Sequence, residues 1–350
     1  MKTAAVTKIG SLKDPDESKR GVIELIDFPE PEMEPEYVKI RVAYCAICGS
    51  DPHTAEGSFG PHVPQTLGHE VSGVIVELGS KVTKNGLKVG DHVAGNFLNF
   101  CGSCYYCRKG LQQFCTNPSE KRSPGMSEFV IWHQSQVHKL PDSVSLRAGC
   151  MLEPLSVAVR AADKVRPKVG DRIAVSGGGP IGQLVLQVLK MYGATSLTMI
   201  EPIAARRDMA MSFGAQYVID PINQNVVEEA MKITGGIGYD TVVDVSGAPS
   251  AVSNLLDITA KAGTLMYGAM YPTEYEMPLN LFKYCYRNDI TITGLFLSPY
   301  TFTRAVQLLE HIDLEPFIEK AYPLDDVAEA FDMHMSGKYP KILIRCNDLD

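Results

Sequence analysis

The stretch Asp171–Pro202, DRIAVSGGGPIGQLVLQVLKMYGATSLTMIEP, reads as strand, glycine turn, helix, strand. DRIAVSG is a short apolar run that ends in glycines, IGQLVLQVLKMYGA repeats apolar residues at helical spacing, and SLTMIE is a second strand. Gly177, Gly179 and Gly182 fit G-x-G-x-x-G. The first glycine permits a tight turn, the second a close approach of backbone to a pyrophosphate, and the third close contact of helix with strand. Pro180 falls near the first helical position, where its missing N–H costs nothing, and Ile181 follows inside the motif. The helix start then offers unpaired N–H groups and a positive dipole end to phosphates. Glu201 ends the second strand about 20 residues on, where an acid binds the adenosine ribose hydroxyls. Its charge would repel a 2′-phosphate. Arg206 could meet one, but Glu201 decides the expectation for NAD rather than NADP.

Outward from this stretch the pattern repeats. IAVSG, LTMIE, YVID, TVVDVSG, GTLMYGA and ITITGLF alternate with helical segments from about residue 156. That predicts an α/β unit, a Rossmann-type doubly wound parallel sheet of six strands. Residues 1–155 read differently. VIELIDF, YVKIRVAYCAI, VSGVIVELG and SEFVIWH are strand-like runs bounded by Pro, Gly and Asp, and PEPEMEPE reads as a solvated connection. After about residue 297, TFTRAVQLLEHI and DDVAEAFDMHM look helical and KILIRC looks like a closing strand. The expected organisation is a mostly-β domain of residues 1–155 and 297–350, interrupted by a nucleotide domain of residues 156–296. The substrate cleft is expected between them.

A chain of 350 residues suits two domains, and 45% apolar with 21% charged residues is ordinary for a globular protein. The net charge of −8 argues against a nucleic-acid partner. No run is long enough for a membrane span, and MKTAAVTKIGSLKDPDESK lacks the apolar segment of a signal peptide. A cytoplasmic protein is expected, in which nine cysteines point to metal or catalysis before disulfides.

Cys101, Cys104, Cys107 and Cys115 lie in CGSCYYCRKGLQQFC, spaced C-x2-C-x2-C-x7-C. Four thiolates this close can wrap one tetrahedral zinc and leave no open position, so the site folds a loop and does no chemistry. Two disulfides are disfavoured by the compartment. The spacing also resembles a ferredoxin start, but no proline follows the fourth cysteine. A second set is scattered: Cys48, His69, Glu70 and Glu153. Each has a bland reading, as a buried thiol, a core histidine, or a carboxylate that caps a helix or pairs with Arg160. Together their mixed donors suit a catalytic zinc with one position left for water or substrate.

In order, CGSDPH, GHEVSGVIVELG, KVGDHVAG, the four-cysteine lobe, EPLSVAV and GGGPIG before an acid resemble a zinc-containing medium-chain alcohol dehydrogenase over nearly the whole chain. EPLSVAV is similar to the sorbitol and polyol dehydrogenase branch. The resemblance implies a GroES-like catalytic domain beside the Rossmann domain, with two zinc ions per subunit. It implies Cys48 and His69 as ligands of the catalytic zinc, with the carboxylate ligand Glu70 in some branches and Glu153 in others. Ser50 matches the family's hydroxyl relay and His53 its outer histidine, while Asp51 orients its neighbours. The implied reaction moves a hydride between a secondary alcohol of a polyol or sugar alcohol, free or phosphorylated, and NAD. A homo-oligomer, dimer or tetramer, is implied as well.

Two departures from the polyol branch stand out. GLFLSPY puts Leu297 and Ser298 where an arginine and a tyrosine are usual, and SPGMSEF replaces a glycine-rich turn and puts Pro124 and Met126 near the expected cleft. Phe59, Leu297 and Tyr300 are candidate walls. The alternatives are an amino-alcohol dehydrogenase resembling threonine dehydrogenase, a small-diol dehydrogenase of the same mechanism, and a non-catalytic zinc-stabilised nucleotide-binding protein. Threonine dehydrogenases usually carry glycine and asparagine at Ser156 and Val157.

Overall fold

Strand Arg172–Ser176 is buried along nearly its whole length, as a strand covered on both faces must be. In a computed structural model, which describes residues 1–83, 86–118 and 123–349, it lies inside a six-stranded sheet. The strand order is Tyr217–Ile219, Ser196–Ile200, Arg172–Ser176, Tyr239–Asp244, Thr259–Tyr267, Thr291–Gly294, with every pairing parallel. Each of the six apolar runs read from the sequence supplies one strand. Helices form the crossovers, and their ends follow local chemistry. Pro180–Lys190 and Pro249–Ile258 begin with proline at the start of the first turn. The Asn225 side chain caps Val226–Ile233 by accepting from Val227 N and Glu228 N.

Contacts divide the chain into Met1–Glu153 with Phe302–Asp350, and Pro154–Thr301. The sequence pattern changes at about 156 and 297, a few residues from these divisions. The first unit is mostly strand. A seven-stranded sheet is built around Tyr37–Ala46, which pairs antiparallel with Glu70–Leu78, Phe129–His133 and Leu343–Arg345. A three-stranded sheet joins Val22–Asp27, Lys2–Lys8 and Gln65–Thr66. Inward-facing side chains of both sheets, among them Ile40, Val71, Ile75, Trp132 and Ile344, form the core, which Phe331 of helix Val327–Ser336 closes. That helix stops at Gly337, where φ of +68° suits glycine.

One expectation changes at this level, the length of a helix. Met126 is fully buried in the core of the first unit. It lies against Gly68, where any Cβ would approach Met126 N to 2.4 Å. The helix read from TFTRAVQLLEHI is shorter, Phe302–Leu308. Among the described residues no helix is long and apolar enough to cross a membrane.

Candidate metal centres and dinucleotide turn

Register explains why residues far apart in sequence meet. Ala46 pairs with Glu70 on one side and with Leu343 on the other. Cys48 therefore leaves the end of one strand where His69 and Glu70 begin the next. The backbone bond from Ile47 N to Ile342 O, 2.9 Å, brings the preceding Lys341 to the same end. One ligand atom from each of Cys48, His69 and Glu70 lies within 4.8 Å of the others. Asp51 fixes the group: its Oδ2 accepts from Cys48 N at 2.8 Å, and its Oδ1 stands 4.0 Å from His69 Nδ1.

Glu70 is not free to turn. Lys341 Nζ lies 2.7 Å from its Oε1 and 2.6 Å from its Oε2, and both side chains are almost fully buried. Glu153, in the first turn of helix Leu152–Val165, is buried but falls outside the close group. The electrostatics are those of buried acidic groups crowded together. Burial pushes the Glu153 carboxyl up to about 7, with Glu70 and Asp51 adding and His69 and Lys341 opposing. Burial would push His69 down, but the charges of Cys48, Asp51 and Glu153 carry it well above the ordinary histidine value. Burial likewise raises Asp51. Among the described residues, Asp51, Glu70 and Glu153 are set against His69 and Lys341. A divalent cation fits the mixed thiol, imidazole and carboxylate donor set.

Ser50 and His53 lie one turn apart on helix Ser50–Ala55. His53 is partly exposed, with Nδ1 3.0 Å from Glu56 Oε2. Phe59 is exposed.

The cysteine lobe closes locally. Cys101, Cys104, Cys107 and Cys115 place their sulfurs within 4.8 Å of one another, and Cys104 Sγ and Cys115 Sγ are 3.9 Å apart. A tetrahedron with metal–sulfur bonds of about 2.3 Å has edges of about 3.8 Å, so zinc fits. Backbone donors from Cys107 and Thr116 lower the Cys104 thiol to about 5, which favours the thiolate that binds metal. The remaining cysteines are Cys45, Cys150 and Cys346, which are buried, and Cys285, which is exposed.

In the second unit the glycine turn shows what each glycine does. Gly177 has φ of +96°, and a Cβ there would come within 2.7 Å of Ser246. A Cβ on Gly182 would sit 1.7 Å from Gly177 O. At Gly179, the N-cap of helix Pro180–Lys190, an added Cβ meets nothing within 4 Å. That open backbone at a helix N-terminus, with Ile181 in the first turn behind it, is a cradle for a pyrophosphate. Glu201 is buried at the adjacent strand end, where Oε2 accepts from Gly178 N at 2.6 Å and Oε1 from Ile203 N at 2.9 Å. Carboxylate oxygens carry spare lone pairs, so ribose hydroxyls can still donate to them. Arg206 offers its carbonyl to Gln183 Nε2, 2.7 Å away. Its neighbour Arg207 is the one that pairs with Asp220, at 3.1 Å.

Sequence reasoning missed Lys341. A lysine ahead of an apolar closing strand was its only signal, and the register that buries it is non-local. Ser298, read as a departure, is buried and receives the Ser156 hydroxyl at 2.6 Å. Leu297 and Tyr300 on the same loop hold positive φ, +54° and +63°.

Comparison with known proteins agrees with this geometry. The alcohol dehydrogenase GroES-like domain family matches residues 34–142, and the zinc-binding dehydrogenase family matches residues 180–311. D-arabitol-phosphate dehydrogenase of Enterococcus avium is 34% identical over 92% of this chain and 93% of its own. L-threonine 3-dehydrogenase of Pyrococcus abyssi is 33% identical over 91% and 94%. A solved structure from Clostridium scindens, described as a zinc-binding dehydrogenase, is 32% identical, covers 99% of both chains and superposes with a TM-score of 0.91.

Proposed function

Because this chain belongs to the zinc-dependent medium-chain alcohol dehydrogenase family, we propose that it oxidises a secondary alcohol of a polyol or sugar alcohol, free or phosphorylated, to the ketone with NAD. The observation that carries the reading is the convergence of Cys48, His69 and Glu70 at one strand end, near the buried Glu153 carboxyl. Cys48 and His69 would hold the catalytic zinc, with Glu70 or Glu153 as the carboxylate, and Cys101, Cys104, Cys107 and Cys115 would hold a second, structural one. The bound metal supplies a Lewis acid for an alcohol oxygen, and NAD supplies the hydride acceptor.

The chain's own residues do the rest. Asp51 fixes Cys48 and His69 through the contacts described above. The alcohol's proton passes to Ser50 Oγ as Ser50 gives its own hydroxyl proton onward toward His53, which is partly exposed on the same helix and releases a proton to water. Gly179 admits the pyrophosphate, and Glu201 selects ribose hydroxyls over a 2′-phosphate. The polyol class is supported by the arabitol-phosphate relative and by the number of polar acceptors at the site, since bound hydroxyls need matched partners. A threonine-like amino alcohol is the second reading, favoured by the relative of nearly equal identity.

A panel of polyols, sugar-alcohol phosphates and amino alcohols, followed by NADH or NADPH absorbance, tests this directly. Highest turnover with a polyol and NAD is expected. Reaction with threonine-like substrates alone would replace the substrate class and keep the mechanism. Cys48→Ser should abolish turnover and leave NADH binding within about twofold; undiminished turnover would remove Cys48 from the site. A cytoplasmic homo-oligomer belongs to the same reading. The exposed Leu281, Phe282 and Tyr286 beside edge strand Thr291–Gly294 are surface that a second copy would cover, and sedimentation equilibrium measures the assembly.

A further inference from the structure

Among the described residues, a buried carboxylate in the second unit takes its side-chain hydrogen bonds from a serine and a tyrosine rather than from a cation. Asp244 is fully buried at the carboxyl end of strand Tyr239–Asp244, next to the strand that feeds the glycine turn. Its Oδ1 accepts from Ser246 N at 3.1 Å and Ser246 Oγ at 2.7 Å. Its Oδ2 accepts from the Tyr271 hydroxyl. Burying an ionised carboxylate is costly unless donors surround it, so Tyr271 is one of few groups that make this carboxylate tolerable. Burial, and then the Asp244 charge, raise the phenol far above the ordinary tyrosine range. Tyr271 is therefore the donor to the Asp244 carboxylate.

Tyr271 follows the fifth strand, and further contacts hold that segment to the end of the fourth. Gly268 N donates to Asp244 O at 2.8 Å. Tyr275, stacked on Tyr271 at 6.4 Å, donates to Pro249 O at 3.2 Å. Gly247, with φ of +68°, lies so close that a Cβ would stand 2.7 Å from Met270 O. The other wall of the same turn touches Gly177, whose Cβ position is 2.7 Å from Ser246. The backbone around Asp244 thus joins the glycine turn on one side to residues 268–275 on the other.

Strand order gives this junction a role, granted the dinucleotide reading above. Glu201 lies on one side of the glycine turn and Asp244 on the other. A dinucleotide with its adenosine ribose at Glu201 and its pyrophosphate at Gly179 must extend its second nucleoside across the ends of the fourth and fifth strands. The geometry points to Tyr271 as a positioning residue that, latched to Asp244, holds residues 268–275 in place for the nicotinamide half of the cofactor. Tyr271 acts through that segment.

The test compares three probes on the zinc-loaded full-length protein: NADH, ADP-ribose, which lacks the nicotinamide, and AMP, which reports the adenosine side. Tyr271→Phe keeps the aromatic stack and deletes the donor, leaving a buried acceptor unpaired. NADH should weaken about tenfold, with ADP-ribose and AMP within about twofold of the parent. Asp244→Asn, which turns an N–H toward the phenol without changing volume, should alter the same ratio and guards against a folding defect in the first variant. An unchanged NADH to ADP-ribose ratio in both variants overturns the latch. If the parent protein binds neither NADH nor ADP-ribose, the dinucleotide reading itself falls and the latch with it.

Discussion

Lys341→Met should destabilise this protein far more than an ordinary surface lysine change. Lys341 is 4% exposed and Glu70 1% exposed, with nitrogen and oxygen 2.6 Å apart. At an effective dielectric of about 20, that separation is worth about 6 kcal/mol of attraction. Taking the two ions out of water costs several kcal/mol each, so the intact pair adds little over an apolar pair of the same volume. Removing one partner is different. The variant strands Glu70 beside Cys48, Asp51 and Glu153, and breaking a buried pair costs about 3–5 kcal/mol. For a unit of this size each kcal/mol moves the melting temperature by about 2–4 °C, so a fall of about 6–20 °C is expected. Differential scanning calorimetry at fixed zinc content reads it, because bound metal shifts melting by mass action. The double variant Lys341→Met with Glu70→Gln should recover most of the loss. If the single and double variants melt together, or if Lys341→Met melts within about 2 °C of the parent, the pair is not what neutralises Glu70 and the charge argument for this site is wrong.

The two glycines of the turn should separate fold from function. Gly182→Ala forces a Cβ to 1.7 Å from Gly177 O and should lower the yield of folded protein, whereas Gly179→Ala meets nothing and should keep the parent melting temperature while weakening NADH at least about tenfold in a fluorescence titration; tight NADH binding by Gly179→Ala would move the pyrophosphate elsewhere. His138, stacked on Phe302 at 5.5 Å, is lowered to about 4 by burial. The folded state therefore binds its proton less readily than the unfolded chain, so this contribution is whole above pH of about 6.5 and is lost as pH falls through about 4. Up to about 3 kcal/mol should go across that window, and His138→Phe should flatten that part of a urea-denaturation series; an unaltered slope would show that His138 is not buried neutral.

What the sequence reveals about this protein follows the range of the interactions involved. The glycine turn, Pro180 and Glu201 were legible because a strand, a turn and a helix are set by neighbours in sequence, and the six apolar runs each became a strand in the expected parallel sheet. The cysteine lobe was legible for the same reason, since C-x2-C spacing by itself brings sulfurs together. The scattered centre was read through resemblance, because Cys48 and His69 meet only through the pairing of Ala46 with Glu70. Lys341 and the Asp244–Tyr271 contact were missed entirely. Each depends on which residue lies opposite which across a sheet, and a lysine or tyrosine near an apolar strand carries no mark of that. This has a consequence for the substrate. Ser156 matched the polyol branch and Ser298 departed from it, but the Ser156 hydroxyl proton is already donated to Ser298 Oγ in a buried bond of 2.6 Å. A match at Ser156 therefore carries less about hydroxyl recognition than the motif suggests. Groups that discriminate a polyol from an amino alcohol have to be sought among side chains whose polar atoms are not already satisfied by the fold.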